Sequence, residues 1–136
     1  MKEYKADALK NVILLGHLGS GKTSLSESMA FISGAISKKG NIEKKSTISD
    51  YTPEEQSKLS SLSTGLLPLE FKDVKINVLD APGADELIGD VSHAMAVANG
   101  AVLVMDASSG VEVGTEKMWL EIKEKNLPAI IFLNKM

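Results

Sequence analysis

The chain has no cysteine, which excludes a disulfide framework and any thiolate metal site and fits a reducing cytoplasm. Aromatic residues are scarce, 4% against 43% hydrophobic residues in all, so a core must be packed mostly from Val, Ile, Leu, Met and Ala. No apolar run approaches the roughly 20 residues of a membrane helix, so no membrane partner is expected. The start, Met1-Lys2-Glu3-Tyr4-Lys5, is charged and lacks the apolar stretch of a signal peptide. Basic residues do not predominate: 15 Lys and Arg face 18 Asp and Glu, for a net charge of −3. That balance gives no support to electrostatically driven nucleic-acid binding by this segment. At 136 residues the chain has the length of one domain with a single core.

Against these absences stands one strong motif. Gly16-His17-Leu18-Gly19-Ser20-Gly21-Lys22-Thr23 is a complete GxxxxGK[ST] phosphate-binding loop. The apolar run Val12-Ile13-Leu14-Leu15 precedes it as a buried strand, and a helix pattern with Leu25, Met29, Ile32 and Ile36 on one face follows. In such a turn the backbone N–H groups and the positive end of the new helix face one concavity, which cradles phosphate oxygens. Residues His17, Leu18, Gly19, Ser20, Gly21, Lys22, Thr23 and Ser24 are the candidate phosphate contacts. Lys22 reaches the β- and γ-phosphates and the Thr23 hydroxyl ligates Mg²⁺. For His17 a structural role outweighs a catalytic one, because these loops act chiefly through backbone N–H groups.

Further along, strand patterns alternate with helix patterns, the mark of βα units around a parallel sheet. Strands are expected near 11–15, 66–71, 74–79, 100–106 and 128–133, and helices near 21–36, from Gly83 to about Asn99, and over 113–126. The short turn Lys72-Asp73 makes the second and third strands an antiparallel edge hairpin, and Pro68 fits only an edge position. Ser37 to Thr64 is rich in Ser, Lys, Glu and Thr and has little apolar periodicity, so it reads as either a long functional loop or disorder. Its Lys38, Lys39, Lys44 and Lys45 read as solvated.

A second element, Asp80-Ala81-Pro82-Gly83, follows a strand. A carboxylate there holds Mg²⁺, usually through water, and the Gly83 N–H approaches a γ-phosphate. Alone this is a common turn; together with the phosphate loop it reads as the second half of a site. Asn134-Lys135 ends the fifth strand, where an Asn amide can read a purine edge and a Lys stem can lie over the loop. Asp106 is read equally as a site residue or as a cap of the following turn, His93 as an ordinary helical histidine, and Trp119 with Ile122 as core.

Taken in order, these elements resemble the start of the G domain of a translational GTPase of the elongation factor G type. The residues that carry the resemblance are Asn11 to His17, the phosphate loop, Asp80-Ala81-Pro82-Gly83, Gly100-Ala101-Val102, Asp106-Ala107, Gly110-Val111-Glu112, Trp119 and Asn134-Lys135-Met136. The resemblance implies an α/β P-loop NTPase fold with strand order 2-3-1-4-5, a mostly parallel sheet with one antiparallel edge strand, and helices on both faces. It also implies a partial G domain over 1–136 that ends before the last strand, with a mobile effector loop at about 37–64. The ligands implied are GTP or GDP with Mg²⁺. The expected partner is the ribosome, met by a monomer in the cytoplasm through further domains.

Four departures qualify that pattern. Where the family carries Arg-Gly-Ile-Thr, this chain has Lys58-Leu59-Ser60-Ser61, and the family's threonine ligand to Mg²⁺ and the γ-phosphate falls on Ser61. Lys22, Gly83 and Ser61 are thus the candidate catalytic residues, and Thr23, Ser61 and Asp80 the candidate metal ligands. Ala84 stands where the family has the histidine that orients the attacking water, and Gly19 where it has an acidic residue. A methyl group cannot position water, so slow intrinsic hydrolysis is expected. The family's Asn-Lys-x-Asp signature stops here at Met136, before the Asp that selects guanine. The rival readings are a non-catalytic nucleotide-binding pseudo-GTPase or interaction module, and an ATP-dependent P-loop enzyme.

Overall fold

Val12-Ile13-Leu14-Leu15 sends aliphatic side chains to both faces of a strand, so that strand must be covered on both sides. The computed structural model, which describes residues 3–40, 46–47, 64–83 and 88–136, shows how. A 3₁₀ turn at Ala6–Ala8 leads into β1 (Leu9–Leu15), followed by α1 (Lys22–Ile32), β2 (Gly65–Phe71), β3 (Val74–Asp80), α2 (Ile88–Ala96), β4 (Gly100–Asp106), α3 (Val113–Glu124) and β5 (Ala129–Asn134). Ser61, Ala84, Lys44 and Lys45, with most of the expected effector loop, lie outside the described residues.

The five strands form one sheet in the order β2-β3-β1-β4-β5, the order the resemblance implies. β1 runs parallel to β3 and β4, β4 runs parallel to β5, and only β2 and β3 pair antiparallel. The β2–β3 hairpin turns on two residues, Lys72 and Asp73, both with positive φ (47° and 63°). That is the conformation whose twist matches the flanking strands, although it more often recruits Asn-Gly. Pro68 lies on the edge strand, as its missing N–H requires.

Alternation along β1 divides the core between the two faces. Ile13 and Leu15 join Ala81, Val91, Met95, Leu103, Met118 and Ile122 in a cluster built with α2 and α3. Leu14 points the other way, onto Ala30, Leu67, Leu69 and Val78 under α1. All of these buried residues are aliphatic, as the low aromatic content requires.

Three expectations need correction. The first helix ends at Ile32 instead of reaching 36, because Gly34 closes it. The Ala35 N–H bonds to the Ala30 carbonyl at 2.9 Å and the Gly34 N–H to the Phe31 carbonyl at 3.1 Å, the paired pattern of a Schellman stop. Ile32 is therefore 77% exposed, while Leu25, Met29 and Ile36 still pack on the core. The third helix stops the same way at Glu124, with Asn126 at φ 51° in the glycine position. Trp119 is not core: it is 41% exposed and flanks a surface groove beside Ile122, Leu127 and Ala129. The neighbouring strand, β5, is itself exposed along Ile130 to Leu133, so the described residues cover the ring only in part. His93 is exposed on α2, as expected.

The core beneath α1 and the exposed end of that helix give contrasting mutational expectations. Leu14→Ala, at a fully buried position, should cost about 3 kcal/mol of unfolding free energy. Ile32→Ala should stay within about 0.5 kcal/mol. Urea unfolding of both variants checks the assignment.

Candidate functional site

The sheet register lines up the strand ends that matter. Leu14 is level with Asp80 in β3, Leu15 with Leu103 in β4, and Asp106 with Asn134 in β5. The loops leaving β1, β3, β4 and β5 therefore meet at one edge of the sheet, where ligands of parallel α/β folds bind.

The phosphate loop fills the space between β1 and α1. Gly21 precedes α1 in the left-handed region (φ 97°), and no side chain caps the helix N-terminus. The first N–H groups of α1 have no intrahelical acceptor, so together with the helix dipole they favour an anion there. A Cβ at Gly21 would run into the Asn134 amide, so the position is doubly restricted to glycine.

Lys22 is 7% exposed. Its ammonium donates to the carbonyls of Gly16 at 2.9 Å and His17 at 3.0 Å, folded back over its own loop. Burial pushes its pKa down to about 8, partly offset by the negative charge of Asp80. Gly83 closes the same concavity from the β3 side. A Cβ there would lie 2.5 Å from Lys22 Nζ and 2.9 Å from Leu18 Cα, so only glycine lets the two loops approach this closely. Leu18 itself is half exposed and contributes backbone.

Asp80 is fully buried at the end of β3. The Ser26 hydroxyl lies 3.1 Å from its Oδ2 and 2.9 Å from the Thr23 carbonyl, holding the carboxylate against the first turn of α1. Thr23 is also buried, at 8% exposure. Sequence reasoning missed Ser26, yet a signal existed: Ser26 lies three residues past Thr23, on the same helix face.

The end of β5 braces the loop from behind. Asn134 Nδ2 donates to the Ser20 carbonyl at 2.9 Å, and Lys135 Nζ to the Gly19 carbonyl at 2.8 Å. Lys135 also pairs with Asp106 Oδ2 at 2.7 Å, while Asp106 Oδ1 accepts from the Ser108 N–H and hydroxyl. Asp106 is thus both a turn cap and a part of the site. The Lys135 and Ser108 hydrogen bonds hold its carboxyl well below the usual carboxylate range. Asn134, read from sequence as a contact to a purine edge, is here a brace on the loop backbone. His17 packs against Gly114 at the start of α3, with Nε2 3.5 Å from Glu112 Oε1, in keeping with a structural role.

Oxygen donors at the phosphate edge suit a hard divalent cation. Among the described residues no group of three or more His, Cys, Asp or Glu converges. Mg²⁺ needs no such cage, since it takes one or two protein oxygens and completes its shell with phosphates and water.

Comparison with known proteins agrees with this geometry. A family model described as the elongation factor Tu GTP binding domain matches residues 7–136. The protein named "Ribosome-releasing factor 2, mitochondrial" from Candida dubliniensis is 35% identical over 136 residues, all of this chain and 17% of that protein. The protein of the same name from Danio rerio is 33% identical over 128 residues, 94% of this chain and 17% of that protein. The chain thus spans 17% of the length of these two curated relatives. A crystal structure of a Thermus thermophilus protein superposes with a TM-score of 0.88 at 36% identity, over 91% of this chain and 19% of that one. Translation elongation factor SelB from Methanococcus maripaludis shares the fold, with a TM-score of 0.69 at 23% identity over 96% of this chain and 22% of that one.

The buried Lys22 gives a pH signature in the free chain. Unfolded, it keeps its proton up to about 10.5; folded, only up to about 8. The unfolded state therefore binds more protons across that window, and the cost of burying the charge, complete below about 8, is relieved as pH rises. Relative to Lys22→Met, the wild-type chain should gain about 2 kcal/mol of stability between pH 7.5 and 9.5. Urea titrations of both proteins at the two pH values test this.

Proposed function

The chain belongs to the elongation factor Tu GTP-binding domain family, and from that premise we propose that it is the nucleotide-binding switch of a translational GTPase acting on the ribosome. The observation that carries the reading is the convergence of Lys22, Gly83 and the open N-terminus of α1 on one concavity, with Asp80 and Thr23 buried beside it. GTP or GDP places its phosphates on the loop amides of residues 17–24. Lys22 swings from the Gly16 and His17 carbonyls to the β- and γ-oxygens, whose negative charge favours its protonated form. Gly83 offers its N–H to the γ-phosphate.

Mg²⁺, when bound, neutralises phosphate charge; Thr23 and Asp80 are its proposed protein ligands, with Ser61 a third from the effector loop. Ser26 keeps the Asp80 carboxylate aimed at that position. Hydrolysis is attack of water on the γ-phosphorus with cleavage of its bond to the bridging oxygen, giving GDP and inorganic phosphate. Lys22 and the loop amides stabilise the charge that develops on the departing oxygens.

The name shared by the curated relatives supports release of ribosomes as the step served, and ribosomes as the partner. The cytoplasmic expectation rested on the absence of cysteine; those relatives are named as mitochondrial, and a mitochondrial matrix suits a thiol-free chain equally well. Whichever compartment holds the ribosomes is the one proposed. No described helix is long and apolar enough to cross a membrane. One chain supplies every described element of the phosphate site, so a monomer suffices. Residues 1–136 form part of the G domain, with the effector loop at about 37–64.

Two measurements test the reading. In Mg²⁺, fluorescent GDP should bind and Lys22→Ala should abolish binding; equal affinity for the ADP analogue would assign the phosphate half to this chain and guanine selection elsewhere. Binding that survives Lys22→Ala would contradict the site. Ala84 lacks the group that orients water, so single-turnover hydrolysis should be slow and Ala84→His should speed it at least about tenfold. Binding without turnover in either chain would favour the pseudo-GTPase.

A further inference from the structure

Glu27 lies in the middle of α1 at 1% exposure, and neither phosphate binding nor hydrolysis as described uses it. A carboxylate so deeply buried is costly unless hydrogen bonds make up for the loss of water. Its Oε2 accepts the backbone N–H of Gly40 at 2.8 Å. The chain at Gly40 is packed tightly enough to exclude a side chain. A Cβ there would lie 2.5 Å from the Ser46 carbonyl, 2.7 Å from Glu27 Oε2 and 2.8 Å from Thr47 Cα. Thr47 is itself 8% exposed. Gly40 and the Ser46–Thr47 stretch are therefore seated together on α1. Gly40, thirteen residues beyond Glu27 in sequence, is held to it by a charge-assisted bond.

Glu27 follows Thr23 by one helical turn, and Ser26 lies beside it against Asp80. Thr23, Ser26 and Glu27 thus make a buried polar ridge on one face of α1. One end meets the phosphate edge, and the other meets the segment that starts the expected effector loop.

We propose that Glu27 is a positioning residue: it ties the Gly40 and Ser46–Thr47 segment to the phosphate-loop helix, so that the effector segment starts from a fixed place relative to the γ-phosphate. The inference rests on the nucleotide-binding reading above. GDP has no γ-phosphate to sense that placement, whereas GTP does, so the tether acts on the difference between the two nucleotides. Coupling of this kind is a free energy between two sites, and only substitutions at both ends measure it.

The test is titration of the chain with fluorescent GDP and with a fluorescent non-hydrolysable GTP analogue, both in Mg²⁺. The variants are Glu27→Ala, Glu27→Gln, Gly40→Ala and the Glu27→Ala/Gly40→Ala double variant. Glu27→Ala should weaken the GTP analogue about fivefold or more while leaving GDP within about twofold. Glu27→Gln keeps an acceptor for the Gly40 N–H and should restore the ratio. Gly40→Ala breaks the same seat from the other side without altering α1, and adding it to Glu27→Ala should cost nothing more. Equal weakening of both nucleotides would make Glu27 a structural residue of the helix, and an unchanged ratio would remove its coupling role; either result overturns the proposal. If Glu27→Ala does not fold, Gly40→Ala alone decides by the same ratio. A wild-type chain that binds neither nucleotide would overturn the functional reading and this inference together, an outcome distinct from binding with an unchanged ratio.

Discussion

The site depends on the phosphate loop being held from behind. Asn134 and Lys135 grip the carbonyls of Ser20 and Gly19, and Asp106 holds Lys135 in turn. A glycine-rich turn has few intrinsic restraints, and fixing its amides toward one concavity carries an entropic cost. Here that cost is offset by side chains from the far end of the sequence, delivered by the β4–β5 register. The parallel sheet is what allows residues more than a hundred positions apart to meet, as the 114-residue separation of the Asn134–Ser20 contact illustrates.

From this brace the electrostatics follow. Lys22 is buried because the loop wraps around it, and burial lowers its pKa to about 8. A phosphate arriving in the concavity supplies the negative charge that the ammonium lacks. On the proposed reading, relief of the desolvation that penalises the free chain would contribute to binding. Asp80, fully buried and steadied by Ser26, is the carboxylate proposed above as a cation ligand.

Much of this was legible in the sequence, for identifiable reasons. The phosphate loop is specific because its glycines, lysine and hydroxyl each have a separate physical duty. The edge hairpin followed from aliphatic runs, Pro68 and the two-residue turn, and the strand order from the family resemblance. Less legible were features set by partners distant in sequence. Ile32 fits the helical stripe, yet Gly34 ends the helix beside it and leaves it in water. Trp119 fits the stripe of α3, but the adjacent strand does not cover it. Asp106 pairs with Lys135, a contact that only the β4–β5 register reveals. Ser26 and Glu27 look like ordinary polar positions of a helix; spacing from Thr23 hints at Ser26, and burial shows that both face inward.

The central claim is that nucleotide phosphates bind where the loop, Asp80-Ala81-Pro82-Gly83 and the end of β5 converge. Backbone amide chemical shifts of the isotopically labelled chain, followed as GDP and Mg²⁺ are added, test it most directly. The account predicts the largest changes at Gly16–Ser24, Asp80–Gly83 and Asn134–Lys135, with saturation lost in Lys22→Ala. Saturable changes centred elsewhere, such as the apolar groove lined by Met29, Leu69 and Phe71, with the loop unmoved, would contradict it.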